Sequence, residues 1–453
     1  MRAIGLDIGT TTVCAIVLDT ENGDVLKAVT ENNDTFLTDC RKFEKVQSPV
    51  KILEKALSLV ETLEKEFAPI ASIGVTGQMH GLMYLDENSE PVSNLYIWQD
   101  GSGNEIKDGS KTYAEVLSET TGYHMSTGFG GTTYYYHNEN NEVPENAVTF
   151  CTIHDFAAMK LAQRSKPIMH SSDAASYGLY DIKKGCFDKE AIEKAGLDFS
   201  MFPEVTTENK VIGKYRGEIP VSVAIGDNQA SFIGSVSDMD DCLLVNVGTG
   251  SQMSFATKTP IAPEGLEIRP CVNDSMIIVG SSLCGGRAFA LLENFFRMTA
   301  EMVTGEKVKS AYSGMDKFME ENPYDDSHVE ISTLFSGTRN NPDERASITN
   351  IGIDNFTPGS FIYGMLKGMA QELKDMYDKA TETVPERPKL LVGSGNGIRK
   401  TAMLRKIFSE MFSAELKVPV HKEEAAFGAA LFSLTTSGFY DNIKETQKMI
   451  KYI

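Results

Sequence analysis

Two turns rich in glycine and threonine carry the first recognisable chemistry in this 453-residue chain. One is Gly9-Thr10-Thr11-Thr12, with Asp7 two residues ahead of it; the other is Gly248-Thr249-Gly250. A tight turn between strands exposes successive backbone N–H groups. Glycine lets an anion come close, and threonine hydroxyls add donors. Turns of this kind bind phosphate without lysine or arginine. A carboxylate placed like Asp7 suits a hydrated Mg2+, which takes oxygen ligands and keeps several of its waters. A third cluster, Gly393-Ser394-Gly395-Asn396-Gly397, lies between a strand-like run and a helical one. It is not G-x-G-x-x-G, and the chain has no Walker motif. With two phosphate turns upstream, it reads as the pocket for a nucleotide's base and ribose.

Other residues suit a polyhydroxylated ligand. His80 follows Gln78 and Met79, and Asp100 stands two residues after the only tryptophan, Trp98. An apolar ring with polar groups beside it can hold a sugar by face and by hydroxyls. In Ile225-Gly226-Asp227-Asn228-Gln229-Ala230 an apolar run delivers one carboxylate at a glycine turn. Lying between two halves of the chain, Asp227 is placed to accept a proton from a sugar hydroxyl. His154 and Asp155 are adjacent, and adjacent residues rarely face one another, so no catalytic dyad is expected there. Neither a serine nucleophile elbow nor a zinc-binding helix motif is present.

The elements that must position these residues are legible by period. Ala3–Leu6 and Val13–Leu18 are apolar runs flanking the first Gly/Thr turn, and Glu21-Asn22-Gly23-Asp24 is a turn signal. Apolar residues from Ile52 to Phe67 recur at helical spacing, and Ile70–Val75 then reads as a buried strand. The opening pattern returns at mid-chain: Cys242–Val247, the second Gly/Thr turn, then Met253–Ala256. Such a repeat suggests internal duplication into two related α/β domains. Further along, Phe361–Tyr377 and a stretch from about Lys400 to Phe412 are helical by spacing, around a strand at Leu390–Val392. Glu423–Leu434 reads as a small-residue helix with Gly428 on a close-packing face.

Charge narrows the ligand classes. With 43 Lys+Arg against 63 Asp+Glu, the net charge is −20. Such a surface repels phosphodiester backbones and anionic membranes, so neither nucleic acid nor membrane is an expected partner. Hydrophobic residues make up 41% and charged residues 23%, ordinary globular values rather than those of an acidic disordered chain. Seven cysteines without Cys-x-x-Cys spacing point to free thiols in a reducing cytoplasm. No apolar run approaches the roughly 20 residues of a membrane helix, and Asp7 interrupts any signal-peptide core.

In their order along the chain, these residues together resemble the FGGY carbohydrate kinases, which have the actin-like ATPase fold. Leu6-Asp7-Ile8-Gly9-Thr10-Thr11 is similar to that family's first phosphate motif, and Gly248-Thr249-Gly250 stands at its second. Gly77-Gln78-Met79-His80-Gly81 resembles the sugar motif of ketose kinases. Trp98-Gln99-Asp100-Gly101 resembles the motif whose acid binds sugar hydroxyls. Gly226-Asp227 is similar to the catalytic-base motif, Gly393-Ser394-Gly395 to the adenosine motif and Ala425–Ala430 to the small-residue C-terminal helix. The Gln-Met-His-Gly run is shared with xylulose-phosphorylating members. Thr152–Asp155, Asp173–Gly178, Asp227–Ser231 and Arg345–Thr349 resemble sedoheptulose-phosphorylating ones.

The resemblance implies an α/β fold of two duplicated ribonuclease-H-like domains with an interdomain cleft: a sugar-binding domain over 1–236 and a nucleotide-binding domain over 237–453. It implies ATP and Mg2+ as cofactors, the ion held by Asp7. Gln78, Met79, His80, Trp98, Asp100 and Asn228 would contact a ketose, and Asp227 would act as the base on its terminal primary hydroxyl. Sedoheptulose is the first expected acceptor, and xylulose or another pentulose the second. Many relatives dimerise, so a homodimer is an implied partner. An actin-fold nucleotide-binding regulator without sugar chemistry is the alternative of a different class.

Overall fold

The computed structural model describes residues 1–322, 329–338, 341 and 343–453. By packing, the chain forms two compact units. Unit 1 comprises Met1–Asp238, Arg269–Met276 and His421–Lys451; unit 2 comprises Met239–Ile268, Ile277–Val420 and Tyr452–Ile453.

Unit 1 is built on a seven-stranded mixed sheet. Its strands are β1 (Arg2–Ile8), β2 (Thr12–Asp19), β3 (Val25–Asn32), β4 (Ile70–Gly77), β5 (Val211–Tyr215), β6 (Ile219–Ser222) and β7 (Ile225–Gly226). The path runs β5-β6-β4-β1-β2-β3, with β7 also paired to β4. Strands β1 and β2 form an antiparallel hairpin, whereas β4 lies parallel to β1. The crossover between β1 and β4 is carried by helix α1 (Pro49–Phe67). Ser48 caps it, and its apolar stripe is Ile52, Ala56, Leu59, Val60 and Leu63. Every residue of β4 is buried, as expected for a central strand covered on both faces. Val223 and Ala224 separate β6 from β7.

A helix from the end of the chain completes this unit. Glu424–Thr436 packs on β1, β4 and the helix α4 (Asp227–Ser235). Its small residues are the reason. A Cβ on Gly5 would stand 1.8 Å from the Ala426 carbonyl oxygen, and one on Gly74 would stand 1.9 Å from that of Ala429. This helix therefore lies against backbone, where no side chain fits. Two further helices carry site residues: α2 (Ile153–Leu161), capped by Thr152, and the short α3 (Ser171–Ala174).

Unit 2 repeats the plan. Its six-stranded sheet contains β8 (Cys242–Val247), β9 (Ser251–Thr257), β10 (Glu267–Pro270), β11 (Met276–Ser282), β12 (Leu390–Ser394) and β13 (Leu416–Lys417), ordered β10-β11-β9-β8-β12-β13. Again a hairpin, β8/β9, has its first strand paired in parallel with a later one, β12. That shared pattern is the duplication expected from the repeated turns. The helix expected from about Lys400 to Phe412 is Ala402–Met411, and a short helix, Gly395–Lys400, precedes it from within the glycine cluster, with Thr401 outside helical geometry between them. Among the described residues no helix is long and apolar enough to cross a membrane, and the seven cysteines form no disulfide.

Candidate active site

Strand register brings the two key carboxylates of unit 1 together. On β1, Asp7 pairs with Thr76 of β4; on β7, Ile225 pairs with the same Thr76. Asp227 follows at once, as the first residue of α4. Asp7 and Asp227 thus stand at the carboxyl ends of strands on either side of β4, where α/β sheets place their ligands. The Thr76 hydroxyl fixes this spacing by donating to the Ile225 carbonyl at 2.7 Å.

The two acids feel one another. The Asp7 carboxyl is pushed up to about 7, first by desolvation, then by the charges of Asp227 and Glu423, with His154 opposing. Desolvation also raises Asp227, to about 6; His154 and Arg269 hold it lower than burial alone would. Asp7 Oδ1 is buried and accepts no hydrogen bond. A buried, unpartnered oxygen on a carboxylate repelled by two other acids fits a hard divalent cation.

The residues expected to meet a polyol lie on neighbouring turns of the same unit. The Thr10 hydroxyl donates to Gln78 Oε1 at 3.0 Å and accepts from Trp98 Nε1 at 3.0 Å, while Gln47 Nε2 donates to the Thr10 carbonyl at 2.9 Å. One threonine thus joins the first phosphate turn to the sugar-type residues. Trp98 remains 48% exposed, so its ring is available to a ligand. His80 has φ 71, the left-handed region that disfavours a side chain. Its ring Nδ1 lies 2.7 Å from the Ser176 carbonyl, so Nδ1 carries the proton, and the ring stacks on Phe129 at 4.9 Å. Met79 packs under the Asp227 turn, since a Cβ on Gly226 would meet its sulfur at 2.7 Å. Asn228 follows Asp227 on the first turn of α4 and is half-buried. Asp100 is placed differently. It is 1% exposed, and its oxygens accept from the backbone N–H groups of Lys45 and Ser102. Its carboxylate holds the Trp98 loop in shape rather than facing outward.

In unit 2, the second phosphate turn and the third glycine cluster are neighbours. The Gly248 carbonyl accepts from Gly286 N at 2.9 Å and the Thr249 carbonyl from Arg287 N at 3.0 Å, seating the turn on the N-terminus of the helix Gly285–Thr304. Asn246 donates to the Ser394 hydroxyl at 2.7 Å. Gly395 adopts φ +83 against the Val247 backbone, where a Cβ would stand 2.6 Å from the carbonyl oxygen. Gly248–Gly250 and Gly393–Gly395 therefore belong to one surface, and Gly9–Thr12 to the other unit.

Sequence reasoning missed one part of unit 1. His154 pairs with a distant acid: its Nε2 lies 3.1 Å from Asp173 Oδ2, with both side chains wholly buried, and Asp155 completes the cluster. Asp155 hydrogen-bonds the Thr152 hydroxyl at 2.7 Å. The charge of Asp173 and its hydrogen bond raise His154 to about 9, against desolvation that lowers it. Within the cluster, burial and the Asp173 charge hold the Asp155 carboxyl above the usual carboxylate range, while His154 holds Asp173 below it. Because the folded His154 binds its proton more tightly than an unfolded one, its stabilisation is complete below pH 6.5 and lost as pH rises through about 9. Urea unfolding at pH 6.5 and 9.5 should differ by about 3 kcal/mol from this group, and His154→Gln should remove that difference. Arg269 was missed as well, since nothing local in the sequence ties it to Asp227.

With this geometry described, comparison with known proteins decides the family. Residues 2–238 match the N-terminal domain of the FGGY family of carbohydrate kinases, and residues 243–436 match its C-terminal domain. The chain is an FGGY carbohydrate kinase. Its sequence is 26% identical over 479 residues to a sedoheptulokinase of Mus musculus, covering 95% of this chain and 97% of that protein. It is 23% identical to a glycerol kinase of Enterococcus casseliflavus, covering 98% and 90%. The fold is similar to that of a ligand-bound xylulose kinase from Lactobacillus acidophilus, with a TM-score of 0.83 at 18% identity and coverage of 100% and 92%. As an FGGY kinase the protein is a phosphotransferase that uses ATP as donor and a hydroxyl group as acceptor.

Proposed function

We propose that this FGGY kinase phosphorylates the terminal primary hydroxyl of a ketose, with sedoheptulose as acceptor and sedoheptulose 7-phosphate as product. The observation that carries the ketose reading is the grouping in unit 1 of Asp227, Gln78, Met79, His80 and Trp98 around the ends of β1, β4 and β7. The sedoheptulokinase relatives of Mus musculus and Homo sapiens, matched over 95% of the chain, favour the seven-carbon acceptor. Xylulose is the second reading, favoured by similarity to solved xylulose kinases.

Phosphoryl transfer needs positioning and charge stabilisation more than covalent help. Asp227 accepts the hydroxyl proton. In a loose transition state that proton leaves late, so orienting the attacking oxygen is as much its role as deprotonating it. Trp98 offers a ring face to the sugar, and Gln78, His80 and Asn228 offer polar groups to its hydroxyls; Asp100 shapes the loop. Backbone N–H groups of Thr10, Thr11 and Thr249 are donors for phosphoryl oxygens, with Gly9, Thr12, Gly248 and Gly250 completing the turns. Gly393, Ser394 and Gly395 serve the adenosine. Asp7, with its unpartnered oxygen, would hold Mg2+ directly or through water; when bound, that ion neutralises phosphate charge. A homodimer in the cytoplasm is part of the same proposal.

ADP release measured with ATP and sedoheptulose, xylulose, ribulose or glycerol tests this reading. Sedoheptulose should give the highest kcat/KM. A preference for xylulose selects the second reading, and no stimulation by any ketose rejects both.

A further inference from the structure

We propose that the buried His154–Asp173 pair is a positioning device for phosphoryl transfer, locking the turn that carries His80 and the turn that carries Asp227 to one short segment, residues 172–177. The inference rests on the sugar and base roles given above to those two turns. Neither His154 nor Asp173 can touch a substrate, since both are 0% exposed. Their importance lies in what hangs from them.

Asp173 sits at the centre. Its Oδ2 lies 3.1 Å from His154 Nε2, an ion-pair contact, and its Oδ1 accepts from the Ser176 hydroxyl at 3.3 Å. Ser176 in turn accepts from the backbone N–H of His80 at 3.1 Å, and its carbonyl takes His80 Nδ1 at 2.7 Å. These bonds hold a histidine at φ 71, a conformation that needs outside support. The Tyr177 hydroxyl donates to the Gly81 carbonyl at 2.9 Å, fastening the far side of the same turn. On the other side, the Ser172 hydroxyl accepts from Gly226 N at 3.3 Å, immediately before Asp227, and the Ser172 carbonyl accepts from Gln229 Nε2 at 3.0 Å. Gln229 Nε2 also donates to the Pro270 carbonyl, next to Arg269. Both functional turns therefore hang from one segment, and the His154–Asp173 pair anchors that segment to α2.

The anchor sits among several charges. His154 is faced by Asp173, Asp155, Asp227 and Asp7. Asp227 is faced by His154, Arg269, Asp173 and Asp7. The imidazolium thus balances Asp173 while presenting a fixed cation towards the base. Thr152 and Asp155 close the pair from behind, the Thr152 hydroxyl lying 3.5 Å from His154 Nε2. Small displacements of positioned groups reduce rates steeply, so loosening this anchor misplaces hydroxyl and base together.

Asp173→Asn, which keeps the shape and removes the charge, tests this in the full-length enzyme with the ketose giving the fastest ADP release. We expect kcat to fall on the order of 10²-fold and the ketose KM to rise, with the ATP KM unchanged. Ser176→Ala should raise the ketose KM in the same direction and be non-additive with Asp173→Asn. Loss of folded enzyme alone would lower kcat with both KM values unchanged, and that pattern overturns the proposal, as does wild-type kinetics in the variant. A measurement on the wild type covers the case in which Asp173→Asn does not fold. In 15N-histidine-labelled enzyme the His154 ring should be doubly protonated at pH 7.5; a neutral ring overturns the proposal. Near-normal turnover of Asp227→Asn would instead reject the base assignment, whatever the Asp173 variant does.

Discussion

Asp227→Asn is expected to lower kcat by about 10²–10⁴, the usual worth of a positioned general base, while ATP still binds. The substitution keeps the size of the side chain and its place as the first residue of α4. It removes the negative charge and with it the ability to take a proton. Glycines of both phosphate turns and the Gly393–Gly395 cluster are untouched, so nucleotide titration by calorimetry should give the wild-type affinity within about twofold. Burial pushes the Asp227 carboxyl up to about 6, and His154 and Arg269 keep it from rising further. Only the ionised form accepts a proton, so wild-type kcat should be flat at neutral pH and fall as pH drops through about 6. An Asn variant that turns over near the wild-type rate, or an acid limb well below pH 5, would remove Asp227 from the mechanism.

The second large effect concerns the close-packed helix Glu424–Thr436. Gly428→Ala should destabilise unit 1 by about 1–3 kcal/mol, the range for overpacked interiors, or by more where backbone must move. The added Cβ would stand 1.8 Å from the Ala230 carbonyl oxygen, which belongs to α4. The reverse contact is equally tight: a Cβ on Gly234 would stand 2.1 Å from the Glu424 carbonyl oxygen. Neither neighbour is the end of a flexible side chain, so one helix must shift. Since α4 begins with Asp227, activity should fall along with stability. Gly314→Ala is the control, because nothing lies within 4 Å of its Cβ position in the helix Tyr312–Glu321. There a gain of about 0.5–1 kcal/mol is expected from helix propensity. Urea unfolding of both variants checks the pair, and equal stability of Gly428→Ala and wild type would refute the packing argument.

What could be read from the sequence was what repeats or punctuates locally. The Gly/Thr turns, the strands before them and the helical periods survive in the fold because each is fixed by neighbours in the chain. The small-residue helix was legible for the same reason, with its start one residue off and its end two. Side-chain direction was not legible. Asp100 looked like a sugar ligand by position beside Trp98, yet backbone N–H groups from Lys45 and Ser102 capture its oxygens. His154 was judged against its sequence neighbour Asp155, while its partner Asp173 arrives from another helix. The double use of Thr10, as phosphate-turn residue and as partner of Gln78 and Trp98, depends on contacts across loops. No periodicity encodes such pairings; only tertiary packing creates them.

The provenance of the helix on Gly5 and Gly74 has a consequence for how the protein is made. The β1 hairpin and β4 leave the ribosome long before the helix that covers their glycines, which is encoded at 424–436. At translation rates of about 5–20 residues per second, the sheet waits tens of seconds for its cover. During that interval unit 2 is synthesised in full up to Val420, so the first sheet to be started is the last to be sealed. Throughout that interval an apolar sheet face lacks the native contacts that later cover it. A fragment ending at Asp238 would hold every proposed sugar contact and the base, yet lack the helix that closes its own sheet.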